Sequence, residues 1–197
     1  MKKLIAVACL ASTVALTAGT AMADSIKGRL GVTGRLGFMI PADNESDFFK
    51  NKTDAGFVGG GGLVYGLTDH VAADLDVSRS TFGSQTGDFG ITDISFGVQY
   101  RFDLAIRELV PYLGTGLDLL ISDYDPSDGS TRKVENTLGV NARAGVDYFL
   151  LKQLALTAEA KMLVSPDAHI TDRFGNHRGD FDATNFSTTV GIRYFFN

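Results

Sequence analysis

The 197-residue chain carries 18 basic and 23 acidic side chains, 23 glycines, one cysteine and no tryptophan, and 44% of it is hydrophobic. The acidic balance offers no basic stripe, which excludes nucleic acid as a partner. A single cysteine cannot form an internal disulfide, and the length suits one domain.

In chain order, Lys2 and Lys3 precede an apolar stretch from Leu4 to Leu16 that is broken only by Ser12 and Thr13. Ala21-Met22-Ala23 then places small residues at the two recognition positions before Asp24. These are the three parts of a secretory signal peptide, with cleavage expected after Ala23. The chain is accordingly read as a signal peptide, 1–23, and a mature domain, 24–197. The apolar run is shorter than the roughly 20 residues that a spanning helix needs. A lipoprotein reading of Cys9 fails on the short apolar segment before it and on Ala6 upstream. Cleavage would leave about 174 residues without cysteine, and 16 basic against 23 acidic side chains, a net charge near −7.

The mature sequence breaks into eight period-two segments. In 28–40, Leu30, Val32, Leu36, Phe38 and Ile40 alternate with Thr33, Arg35 and Gly37; in 56–66, Phe57, Leu63 and Tyr65 share a face among glycines. In 70–79, Val71, Ala73, Leu75 and Val77 oppose Asp74, Asp76 and Ser78. In 92–102, Ile94, Phe96, Val98, Tyr100 and Phe102 oppose Asp93, Ser95, Gln99 and Arg101. Leu113, Leu117, Leu119 and Ile121 oppose Tyr112, Gly114, Gly116 and Asp118 in 110–121. In 136–149, Leu138 to Tyr148 on even positions oppose Asn141, Arg143 and Asp147. In 154–164 the even positions are apolar, and Thr157, Glu159 and Lys161 lie opposite. In 186–196, Phe186, Val190, Ile192, Tyr194 and Phe196 oppose Ser187, Thr189 and Arg193.

Period two alone also fits a soluble sandwich or lipocalin-like barrel. Two features turn the reading toward a membrane. Long polar connections at 41–55, 80–91, 122–135 and 165–184 alternate with short ones near 67–70, 103–109 and 150–153. Outer-membrane barrels have long outer loops and short periplasmic turns in this order. Tyr65, Tyr100, Phe102, Tyr148, Tyr194 and Phe196 gather beside the short turns, and Phe38, Phe57 and Phe186 near the other rim, as interfacial girdles do. With no later segment resembling a transmembrane helix, only a closed barrel can satisfy its backbone in lipid. The fold expected is all-β: an eight-stranded antiparallel transmembrane up-and-down barrel in the cell outer membrane, surrounded by lipid, with both termini periplasmic.

Ala144-Gly145-Val146-Asp147-Tyr148-Phe149 running into Leu154-Ala155-Leu156-Thr157-Ala158-Glu159 resembles the penultimate hairpin of OmpW-like and related small outer-membrane β-barrel families. Pro111 to Leu117 is similar to their fifth strand, and Leu67-Thr68-Asp69-His70 to their first periplasmic turn. Val190 to Phe196 resembles the terminal signal read by the barrel-insertion machinery, departing from it by ending on Asn197. Resemblance to OmpW implies passage of small hydrophobic molecules; resemblance to OmpX- and OmpA-type barrels of equal size implies structural or adhesive roles.

The alternation turns Arg35, Arg101, Arg143, Lys161 and Arg193 inward with Asp74, Asp76, Asp93, Asp118, Asp147 and Glu159. Eight strands leave an interior that side chains fill, so these charges are expected to pair into a plug rather than line an ion pore. Met39, Val58, Leu120 and Leu163 point inward near the outer mouth and are expected to form an apolar vestibule, or else to pack against folded outer loops. Asp123, Asp125 and Asp128 before Gly129 resemble part of a calcium loop, but Glu135 falls one place late, and a solvated turn is the reading adopted. His169, Asp172 and His177 lack a fixed metal geometry, and no histidine has a serine partner of the kind that outer-membrane lipid A acyltransferases need. No enzyme activity, metal or cofactor is expected.

Overall fold

The computed structural model describes residues 25–196 apart from 43, 47–48, 52–54, 85–86, 127–131 and 173–176. The signal-peptide reading of 1–23, with Cys9, and residues Asp128 and Gly129 fall outside the described residues.

Eight long strands build one closed barrel: β1 (Leu30–Pro41), β4 (Gly56–Gly66), β5 (Val71–Ser84), β6 (Gly87–Arg101), β7 (Leu109–Pro126), β9 (Thr137–Phe149), β10 (Leu154–Val164) and β13 (Asn185–Phe195). Five short ones, β2 (Asn44–Ser46), β3 (Phe49–Asn51), β8 (Arg132–Val134), β11 (Ala168–Asp172) and β12 (His177–Phe181), lie in the connections. Each barrel strand pairs antiparallel with its chain neighbours, and β1 closes on β13 from Gly31↔Phe195 to Pro41↔Asn185. Closure leaves the barrel no edge, so every barrel strand has a partner on both sides.

The wall is apolar outside and polar inside. Phe38 is 67% exposed, Phe96 62% and Leu138 70%, whereas Asp118 and Asp147 are fully buried. A water-soluble barrel would reverse that arrangement; this outer surface suits lipid. Rings pair along both rims of the apolar band: Tyr100 with Phe102 at 5.0 Å and Tyr194 with Phe196 at 5.2 Å near the short turns, Phe38 with Phe57 at 6.5 Å at the opposite rim.

At the short-turn end, the Thr68 hydroxyl accepts from the backbone N–H of Val71 at 2.9 Å and so tightens the first turn. Gly28 takes a φ of +74°, which side-chain-bearing residues rarely adopt. The turn it permits, with Arg29 N–H on the Ile26 carbonyl at 2.9 Å, tucks Ile26 beneath the barrel.

The long-loop end departs from the expectation. Residues 80–91 are not a long loop: β5 and β6 stay in register to Ser84↔Gly87, with only 85–86 between them. Likewise β7 continues through Asp123 and Asp125 to Pro126, so these aspartates lie on a strand and not in a turn. The reason is a change of facing. Phe82, Phe89 and Ile91 are buried while Thr81 is exposed, so the outward half of each strand looks polar and the segment reads as loop. Above this extension, β12, β11 and β8 form a three-stranded sheet, with a bulge between Ile170 and Thr171. The extended strands and this sheet together form a head on the barrel.

Candidate functional site in the barrel lumen

Seven of the eight barrel strands send charge inward, and the lumen charges fall into three tiers. Nearest the short turns, Asp147 Oδ2 accepts from Arg101 Nη2 and from Arg193 Nη1, each at 2.7 Å. Arg193 Nε also donates to Thr33 Oγ1 at 2.9 Å, and both guanidinium groups lie over the Tyr112 ring. In the middle tier Arg35 bridges Asp76 at 2.9 Å and Glu159 at 3.0 Å, while Arg143 bridges Asp74 at 2.6 Å and Asp76 at 3.4 Å. In the upper tier Lys161 Nζ donates to Asp93 and to Asp118, both at 2.6 Å, and Asn141 Nδ2 donates to Asp118 Oδ2 at 2.6 Å. All eleven residues read as a lumen charge network therefore meet an oppositely charged partner inside the barrel.

Two residues carry this network without having been singled out from the sequence. Tyr112 is buried with its hydroxyl donating to Glu159 Oε2 at 2.9 Å, linking the lower two tiers. Asn141 braces Asp118. Their inward parity was visible, but neither is charged. The remaining strand, β4, contributes space. A Cβ on Gly62 would stand 2.0 Å from Asp76 Oδ1, and one on Gly97 of β6 would stand 2.0 Å from Arg143 Nη2. Gly60 and Gly62 thus leave room for Ser78 and Asp76 of the neighbouring strand.

Apolar caps close both ends of the charged section. Toward the short turns, Ile26, Val64, Ala72, Phe149, Ala155 and Phe195 pack together, with Phe149 stacked on Phe195 at 5.8 Å. Toward the head, Met39, Val58, Leu120 and Leu163 are brought together in one buried cluster with Phe82, Phe89, Ile91 and Phe181. Phe181 of β12 stacks on Phe89 at 4.8 Å. The four residues expected to form an apolar vestibule, or else to pack against folded outer loops, therefore sit beneath the folded head, none more than 7% exposed. Between this cap and the charges remains a cavity of about 30 Å³, lined by Met39, Val58 and Ile91 above and by Arg35, Asp93, Glu159 and Lys161 below.

On the outer wall near the head, Arg79 pairs with Asp123 at 2.9 Å, exposed at the level where the apolar band ends. His70 lies 3.7 Å from Asp103 at the short-turn end, and His169 on β11 is opposite Asp180 of β12. No group of three metal-ligating residues occurs among the described residues.

The profile of the outer membrane protein beta-barrel domain matches residues 7–194. The chain belongs to this family. No curated protein sequence matches it. Solved structures similar to it include OprG from Pseudomonas aeruginosa, with 17% identity, a TM-score of 0.71 and coverage of 89% of this chain and 99% of that one. Neisserial surface protein A matches at 18% identity and a TM-score of 0.64, covering 86% of this chain and 98% of that one. The N-terminal β-barrel domain of Pseudomonas aeruginosa OprF matches at 16% and 0.54, covering 86% and 98%. At these identities the likeness is one of fold. For an outer-membrane barrel the exposed apolar band of Phe38, Phe96 and Leu138 is the lipid-facing surface, and the three charged tiers lie within its span.

Proposed function

We propose that this outer-membrane barrel is a closed, non-enzymatic membrane anchor that presents its β-rich head outside the cell, with the short turns and both termini in the periplasm. The observation that carries this reading is the stack of three ion-paired tiers between two apolar caps. An ion crossing it must separate pairs such as Arg101–Asp147 and Lys161–Asp118, and breaking a buried pair costs about 3–5 kcal/mol. The head, built from β8, β11, β12 and the extensions of β5 to β7, is then the surface available for structural or adhesive contacts. Planar-bilayer recording tests the closed state: the refolded protein is expected to give no stable single-channel current, and large steady currents overturn the reading. Unaltered lipid A acylation in cells carrying the protein is the matching expectation for a barrel without enzyme activity.

A second reading has its own observation. The head-side cluster is apolar throughout, and the 165–184 connection covers it through Ala168, Phe181 and Ala183. Lifting that connection bares a vestibule of Met39, Val58, Leu120 and Leu163 in which a small hydrophobic solute could leave water. Each fully buried aliphatic contact contributes about 1.5–3 kcal/mol, so binding of such solutes is expected at micromolar affinity or weaker. Leu120→Asp combined with Leu163→Asp separates the readings. Read on double-variant protein that still shows the heat-modifiable gel migration of a folded barrel, uptake of apolar probes is lost under passage and is the same as in the wild type under the closed anchor.

A further inference from the structure

The lumen sets six carboxylates against five cations: one against two in the lower tier, three against two in the middle tier and two against one in the upper tier. In the upper tier Asp93 and Asp118 share the single ammonium of Lys161. The next cations below, Arg35 and Arg143, are already engaged by Asp76, Glu159 and Asp74. Two carboxylates in one buried site with one counter-charge resist joint ionisation. Their surroundings differ. Asp118 is fully buried, and each of its oxygens accepts an N–H, from Lys161 and from Asn141. That is the environment of an ionised carboxylate. Asp93 accepts one N–H through Oδ2, and its buried Oδ1 has no hydrogen-bond partner. Asp93 also lines the small cavity, whose volume has room for a water molecule.

From this geometry we propose that Asp93 is held as the neutral acid, and that its proton latches the charged plug to the apolar cap above it. The groups facing it are Lys161 and Glu159 from β10, Asp118 from β7, Arg35 from β1, and Ser78 and Ser80 from β5, with Asn141 of β9 behind Asp118. Each charged member of the tier stands two residues below a cap residue on its own strand: Asp93 below Ile91, Asp118 below Leu120, Lys161 below Leu163. When the proton leaves, Asp93 and Asp118 compete for Lys161 and repel each other, and the floor of the cap is pushed apart. The latch rests on the lumen geometry and holds whether or not the head serves adhesion.

Infrared spectroscopy of the refolded protein in lipid vesicles tests it. At neutral pH the wild type is expected to show the carboxylic C=O stretch of a protonated buried acid, and Asp93→Asn to lose it while keeping the wild-type melting temperature, because the amide imitates the neutral acid. Asp118→Asn is expected to lose the band as well, since Asp93, freed of the like charge beside it, then ionises against Lys161. At alkaline pH, proteolysis within 165–184 is expected to accelerate several-fold in the wild type and not in Asp93→Asn. A spectrum without the protonated-acid band, a band that survives Asp93→Asn, an Asp93→Asn protein with a clearly lowered melting temperature, or alkaline proteolysis that is the same in wild type and Asp93→Asn overturns the proposal. If Asp118→Asn does not refold, the band in wild type and Asp93→Asn decides alone.

Discussion

Three strands, β5 to β7, run through both the membrane section and the head, under opposite rules. Along β6, counted from the short-turn end, the inward series runs Arg101, Gln99, Gly97, Ser95, Asp93 and then Ile91 and Phe89. Its outward series runs Tyr100, Val98, Phe96, Ile94 and then Thr92. On β5 the inward residues change from Asp74, Asp76, Ser78 and Ser80 to Phe82, as the outward ones change from Leu75 and Val77 to Arg79 and Thr81. β7 turns over between Asp118 and Leu120 inside and between Ile121 and Asp123 outside. The backbone ladder is continuous through the change. What differs is the solvent beyond the wall: against lipid the apolar side faces out and polar groups must find partners inside, and against water the apolar side must be hidden.

The largest effect should come from the charged interior. Asp147→Ala leaves Arg101 and Arg193 buried without their shared carboxylate, and a loss of about 3–5 kcal/mol is expected from urea unfolding in vesicles. A change below one kcal/mol would mean that water, and not the pairing, stabilises the lower tier. Next is a matched pair on the outer wall. Ala158→Arg, in the lipid-facing series of β10, is expected to cost roughly 2–4 kcal/mol. Thr81→Arg, outward on the head section of β5, should stay within about 0.5 kcal/mol. Equal costs at the two positions would break the comparison between the regions. The smallest effect lies at the short-turn end. The Ser25 hydroxyl donates to the Asp69 carboxylate and, with help from Lys27 and His70, holds that carboxyl below its usual range. Because the folded value is depressed, the contribution is present above the unfolded value and fades as pH falls through the folded one. Ser25→Ala should move the Asp69 midpoint upward in an NMR titration without a measurable change in the melting temperature.

Alternation made the barrel legible because a lipid-facing wall repeats one rule over many residues. Segments such as 92–102 and 186–196 carry that rule almost without exception. It failed at 80–91 for a physical reason: Phe82, Phe89 and Ile91 keep period two, but with the sense reversed, so counting apolar residues against the membrane pattern ended the strands too soon. The lower cap was hidden differently. Phe149 and Phe195 stand next to the girdle residues Tyr148, Tyr194 and Phe196, and only their parity distinguishes a plug from an interfacial ring.

Parity along each strand determined which side chains enter the lumen, because successive residues of a strand point to opposite faces whatever the fold. That is a local property, and residues such as Arg143 and Glu159 could be placed from it alone. Which of them meet is set by the register across eight strands and by barrel closure, and neither is local. Only the closed barrel brought Lys161 of β10 against Asp93 of β6 and Asp118 of β7, 68 and 43 residues away in the chain. Only the fold of the head stacked Phe181 on Phe82 and Phe89, in the same cluster as Leu120 and Leu163, because that contact depends on a hairpin returning across the mouth.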